Sequence, residues 1–195
     1  MKATQNKKNT LELIHSLETV YQLKSIPRTG WIQSGIDPGQ VESIAGHSYG
    51  MSILILYLRP SLLANGVNVE RALNMALIHD IAEALVGDIT PHDNVSLDQK
   101  YNEEVAAFRQ ITQHVAEGEY FQELWDDFES VGSIEAQVVK RIDKLDMLMQ
   151  AYLYEKKYSI RLDSFWENME ELFKDSESEP IYNYIRLNRF EIKGN

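Results

Sequence analysis

No cysteine occurs in the 195 residues, which excludes disulfides, thiolate metal sites and a cysteine nucleophile. No apolar run reaches the roughly 18 to 20 residues of a membrane span. The first residues, Met1 to Thr10, are polar and lack the apolar centre of a signal peptide. The expectation is a cytoplasmic protein with no membrane partner. Positive charge is scarce: 19 Lys and Arg stand against 30 Asp and Glu, a formal charge of −11. That balance argues against long nucleic acid as a partner, whose affinity comes mainly from phosphate neutralisation. A small anionic substrate remains open, because it needs only local positive charge or a metal. Convincing strand alternation, internal repeats and Gly-rich phosphate loops are also missing. What is left is 44% hydrophobic and 25% charged, an ordinary globular composition at a length that suits one domain over residues 1–195.

Apolar spacing predicts an all-α fold of about six or seven helices. Leu11, Ile14, Leu17, Val20 and Tyr21 mark a first helix from Thr10 to Leu23. An irregular stretch follows, from Pro27-Arg28-Thr29-Gly30-Trp31 to Asp37-Pro38-Gly39, and irregular backbone often carries function. Glu42 or Ser43 caps a second helix that ends near Pro60, with His47 on its stripe of Ile44, Met51, Leu54, Ile55 and Leu58. Taken alone, His47 reads as a core histidine with a local hydrogen bond, and a second buried histidine elsewhere in the chain shifts that balance. Further helices are expected over Leu97–Ala116, Tyr120–Ser130 and, capped by Ser133, Ile134–Lys157. Ile89–Asn94 reads as a turn-rich loop, Asp175–Pro180 as a solvated acidic linker and Ile181–Phe190 as a final apolar-basic piece.

The stretch that organises the chain is Ala72 to Asp88. It is apolar on every side apart from Asn74, His79, Asp80, Glu83 and Asp88, and a helix of that kind is a buried one. The expectation is one continuous helix from Val69 to Val86, stopped by Gly87. Buried carboxylates are paired or hold a metal, and His79–Glu83 and Asp80–Glu83 are neighbours on a helix at i,i+4 and i,i+3. In the Ile134–Lys157 helix, Asp143 borders the buried stripe and Asp146 lies one turn further along the same edge. Spacing allows either carboxylate to point inward, or a surface pair with Lys140, Arg141 or Lys144 worth at most about 1 kcal/mol. Two imidazoles with carboxylates suit a borderline divalent transition metal, namely Mn, Co, Fe or Zn.

The pattern His47 … His79-Asp80 … Asp143 resembles the H…HD…D signature of the HD-domain metal-dependent phosphohydrolases. The flanking text is more specific. Val41-Glu42-Ser43-Ile44-Ala45-Gly46-His47-Ser48 and Ala76-Leu77-Ile78-His79-Asp80-Ile81-Ala82-Glu83-Ala84-Leu85-Val86-Gly87-Asp88-Ile89-Thr90-Pro91 are similar to the 5′-deoxynucleotidase subfamily. Arg28-Thr29-Gly30-Trp31 and Lys140-Arg141-Ile142-Asp143-Lys144-Leu145-Asp146 extend the likeness, which covers about residues 11–157 and leaves 158–195 as a C-terminal extension.

The resemblance implies an all-helical HD-type bundle with a divalent metal on His47, His79, Asp80 and Asp143. It also implies hydrolysis of a (deoxy)nucleoside 5′-monophosphate to nucleoside and phosphate. Glu83 and Asp88 match acidic residues near the reacting oxygens, and one of them is the general acid or base. Glu83 reads alternatively as a carboxylate that orients His79. Arg28 matches an arginine that contacts the 5′-phosphate. Trp31 is carried over as a sugar-facing residue, although Thr29 and Gly30 separate it from Arg28, where bacterial relatives place tryptophan directly after the arginine. The alternatives are an HD-fold nucleotide-binding or regulatory protein with little turnover, and an HD phosphodiesterase acting on cyclic or dinucleotide substrates. A homodimer through Phe165, Trp166, Leu172 and Phe173 is a further expectation, against closure of one chain's own core by that face.

Overall fold

The computed structural model of the chain describes residues 2–90 and 93–189. Pro91 and His92 of the expected loop, and Phe190 at the end of the last segment, lie outside them. Among the described residues the fold is all-α: α1 (Lys2–Tyr21), α2 (Thr29–Gln33), α3 (Ile44–Tyr57), α4 (Arg59–Ala64), α5 (Val69–Ile78), α6 (Glu83–Val86), α7 (Leu97–Thr112), α8 (Gly118–Ser130), α9 (Ile134–Tyr158), α10 (Glu170–Phe173) and α11 (Glu179–Leu187). Seven of these have nine residues or more, in line with six or seven helices. The only extended pairing among the described residues is an isolated bridge between Pro27 and Ser43.

The helix starts follow their capping chemistry. The hydroxyl of Ser43 accepts from the Gly46 N–H at 3.1 Å and that of Ser133 from the Ala136 N–H at 3.0 Å, each satisfying one of the amides a helix start leaves open. Asn68 does the same for Arg71 at the head of α5. Helices α3, α5 and α9 pack against one another. Met51, Ile55, Met75, Ile142 and Leu145 are fully buried between them, and each such side chain stabilises the fold by about 1.5–3 kcal/mol. A second cluster of Ile44, Ile81, Ala84, Phe108 and Trp125 lies beside α6 and α7. Ile78 packs against both clusters, so the residue before His79 marks their seam.

Three expectations are corrected. The helix expected from Val69 to Val86 is broken: α5 stops at Ile78, residues 79–82 form turns, and α6 restarts at Glu83. Nor is the stretch buried all round, since Leu77 and Leu85 are exposed. The acidic segment after Lys174 is no solvated linker: the Glu177 carboxylate lies 3.6 Å from Arg141 Nη1 and is almost wholly enclosed, and Ser178 is buried. The C-terminal aromatic face turns inward. Phe173 and Trp166 are buried, and Phe165 stacks on Trp31. Of the four residues only Leu172 is exposed, so most of this face closes the chain's own core.

Candidate metal centre

His47 is fully buried on α3. Its Nδ1 lies 2.7 Å from Asp146 Oδ2 on α9, which directs Nε2 away from that carboxylate. Close approach of α3 and α9 makes this contact possible. A Cβ on Gly50 would stand 2.1 Å from Asp146 Oδ1, so the missing side chain opens the notch in which the carboxylate sits. Asp143, one turn earlier on α9, places Oδ1 3.2 Å from His47 Nε2. Both rival carboxylates therefore face inward, one at each nitrogen of the same ring.

The break after α5 shapes the other half. The Ile81, Glu83, Ala84 and Leu85 amides donate to carbonyls three residues back, a tightening to 3₁₀ geometry that often marks functional positions inside helices. His79 Nδ1 donates to the Ala76 carbonyl at 2.9 Å, which fixes the tautomer and leaves Nε2 as the free ligand atom. Glu83 therefore does not orient His79 through that nitrogen. Asp80 Oδ2 is 3.0 Å from His79 Nε2 and 3.9 Å from His47 Nε2. One ligand atom from each of His47, His79 and Asp80 lies within 4.8 Å of the others, and Asp143 joins through His47.

These groups perturb one another. Burial works against a charged His47, but the Asp143 and Asp146 carboxylates outweigh it and lift its pKa to about 9. A cation arriving at Nε2 must displace that proton, so ion binding and proton release are coupled. Burial likewise opposes ionised Asp80, yet His79, His47 and Arg28 hold its carboxyl well below the usual range. Asp143 is held down too, against burial, by Lys144 and His47. His47 Nε2 is buried and lacks an aligned hydrogen bond. Two imidazole nitrogens and two ionised carboxylates, with the buried His47 Nε2 facing the Asp143 and Asp80 oxygens, fit a divalent transition metal.

Around this centre lies a cavity of about 610 Å³ whose walls include His79, Asp80, Glu83, Asp88, Arg28 and Asp143. Arg28 caps α2 and is tied down by its backbone N–H, which donates to the Glu42 carbonyl at 3.0 Å. Its Nη1 reaches Asp80 Oδ2 at 3.5 Å. Asp88 accepts a hydrogen bond from the Thr29 amide, which clamps the Arg28 segment to the end of the His79–Asp88 stretch. Glu83 is buried and its Oε2 has no partner. Burial, reinforced by Asp80 and Asp88, pushes its carboxyl well above the usual range. Trp31 is only 1% exposed, and its indole donates to Glu42 Oε1 at 2.9 Å. It lies within the cavity wall.

Sequence reasoning missed Glu42 as the shared partner of Arg28 and Trp31, because its place before a helix reads as a cap. It also missed Lys100, Lys140, Lys144 and Phe165 as cavity residues. Only Lys144, adjacent to Asp143, carried a usable signal.

The Asp146–His47 contact gives a direct expectation. Asp146→Asn keeps the shape but removes the charge that makes the ring a stronger ligand. The divalent-ion affinity should fall about 10- to 100-fold, read by competition with a chromophoric chelator. Unchanged affinity would show that the carboxylate does not tune His47.

The profile of the HD domain matches residues 20–181. The 5′-deoxynucleotidase hdd1 of Schizosaccharomyces pombe is 40% identical over 162 residues, covering 79% of this chain and 78% of that protein. The 5′-deoxynucleotidase HDDC2 of Bos taurus is 34% identical over 191 residues, covering 96% and 90%. Among solved structures, the PH0347 protein of Pyrococcus horikoshii superposes with a TM-score of 0.73 at 36% identity, covering 89% of this chain and 96% of that one. A buried histidine, a His-Asp pair at a helix break and an aspartate on α9, brought together beside one cavity of an all-α bundle, agree with these likenesses: the chain belongs to the HD-domain family.

Proposed function

We infer that the chain is a metal-dependent phosphomonoesterase that hydrolyses deoxynucleoside 5′-monophosphates to nucleoside and phosphate. One observation carries the reading: His79, Asp80 and Asp143, with buried His47 directly behind them, stand on a cavity shared with an arginine and with a buried carboxyl whose oxygen has no partner. The names of the similar proteins, 5′-deoxynucleotidases, support it. Mn, Co, Fe or Zn is the ion that suits the donors.

When bound, the ion would polarise a phosphoryl oxygen and bring the pKa of water toward neutrality. The chain's own groups do the rest. Arg28 offers two parallel N–H donors to the phosphate, a geometry lysine cannot copy. Glu83, whose carboxyl is pushed well above the usual range by burial, is the general acid for the leaving 5′-oxygen, a role that a raised pKa favours. Asp88, engaged with the Thr29 amide, holds the Arg28 segment in place.

The test is phosphate release from deoxynucleoside and ribonucleoside monophosphates, cyclic nucleotides and dinucleotides, with chelator or with each ion added. The reading expects ion-dependent release from deoxynucleoside monophosphates. Tight binding without release would favour the low-turnover binder, and turnover confined to cyclic or dinucleotide substrates the phosphodiesterase. In the same assay Arg28→Lys should raise KM by about tenfold or more, the range of a charged hydrogen bond, with metal content intact.

A further inference from the structure

The segment after α9 belongs to the cavity. Phe165, in the 3₁₀ turn Asp163–Phe165, lines it together with Met147 of α9. The Phe165 ring stacks on Trp31, with centroids 4.4 Å apart and planes at 26°. Tyr154 closes the Trp31 ring edge-on at 5.3 Å. Since Trp31 is almost fully enclosed and Phe165 only half-buried, Phe165 is the ring of this pair that a ligand can touch.

Two further features bear on what it touches. Glu42 Oε1 takes the Trp31 indole N–H at 2.9 Å and lies 4.0 Å from Arg28 Nε, so one carboxylate oxygen joins the aromatic wall to the phosphate-binding cation. A nucleotide whose phosphate meets Arg28 must run its sugar and base along a neighbouring wall. The turn that carries Phe165 is also pinned. The Leu162 amide donates to Glu155 Oε1 at 2.9 Å, and Arg189 bridges Glu155 at 2.6 Å and Asp163 at 2.8 Å. A rigid aromatic surface held this way contributes binding without an ordering cost. Charged residues also line the cavity, with Lys140 on Glu129 at 3.0 Å and Lys100 beside Glu104 at 3.6 Å.

We propose that Phe165 is a specificity-determining residue, the surface against which the nucleoside part of the substrate rests, with Trp31 as its positioning residue. This rests on the nucleotidase reading above. It gives the C-terminal extension a share in the site, and it expects substrates with a flat, uncharged base to gain over simple phosphomonoesters.

Steady-state kinetics on dAMP, with inorganic phosphate as product inhibitor, test it in the metal-loaded full-length protein. In Phe165→Ala, KM for dAMP should rise roughly 5- to 100-fold, the range of one lost base–aromatic stack. The kcat, the inhibition constant of phosphate and the metal content should hold. Phe165→Trp should restore KM. An unchanged KM in Phe165→Ala would overturn the proposal. So would a parallel rise in KM and in the phosphate constant, which marks general loosening of the site. A KM effect carried by Tyr101→Ala instead would also overturn it, because Tyr101 is a second exposed aromatic on the cavity, whereas Phe128 is buried. A wild type that turns over dAMP while Phe165→Ala matches it rejects this inference alone. A wild type inactive on every nucleoside monophosphate rejects the nucleotidase reading as well.

Discussion

Asp143→Ala is expected to yield a folded protein that retains almost no divalent ion after dialysis and loses at least about a thousandfold in kcat/KM, the scale of several kcal/mol of lost Lewis-acid stabilisation. The reason is geometric. Asp143 Oδ1 is the carboxylate oxygen facing His47 Nε2 at 3.2 Å, whereas Asp146 faces Nδ1 on the far side of the ring. Loss of Asp143 deletes a ligand, while loss of Asp146 weakens one. Elemental analysis of Asp143→Ala beside Asp146→Asn separates the two roles. The order should be wild type, then Asp146→Asn, then Asp143→Ala close to zero. A fully active Asp143→Ala protein would show that the fourth ligand has been misassigned.

Glu83→Gln should separate activity from stability in opposite directions. Replacing the acid should lower kcat by about 10²- to 10⁴-fold, the usual worth of a positioned proton donor, while the isosteric amide leaves KM and ion content near wild type. Stability moves the other way in the metal-free protein. The carboxyl has an ordinary value of 4.5 in the unfolded chain and a much higher one when folded, raised by burial, Asp80 and Asp88. The folded state thus keeps a proton that the unfolded state releases. Stability is lost as pH climbs from about 4.5 toward the folded pKa, and the loss levels off above it. Gln carries no such penalty. Metal-free Glu83→Gln should therefore melt above metal-free wild type at pH 8 and close to it at pH 4.5. Thermal melts at both values check this, and equal melting at pH 8 would show that Glu83 is not strained by its surroundings.

How far the sequence discloses these roles depends on where each contact originates. The helices of the bundle were readable because their signals are local. Ser43 and Ser133 cap the helices expected of them, and α9 spans Ile134–Tyr158 against an expected end at Lys157. The break at residues 79–82 was not readable, since Ile81 and Ala82 continue a helix-forming apolar run without Pro or Gly. Both are buried in the smaller cluster, while α5 packs into the larger one, so the turn answers to two cores at once. Asp143 and Asp146 could not be told apart by periodicity, because α9 buries a face wide enough to admit both. Trp31 reads as part of an irregular stretch amid Gly and Ser. Its cover comes from Phe165, far along the chain, and distant contacts leave no mark on a local pattern. The Glu177–Arg141 pair hid in an acidic run for the same reason.

The donors arrive from α3, from the turn after α5 and from α9, and the His47–Asp146 contact alone joins positions 99 residues apart. No short stretch of the chain holds a high-affinity fragment of the centre. During synthesis the first imidazole emerges long before the last carboxylate, and contacts of such wide sequence separation form late. A site assembled this way would be complete only once α3, α5 and α9 have packed. Metal scarcity in the cell would leave a largely assembled protein waiting for its ion, and resupply should restore activity without a new round of synthesis.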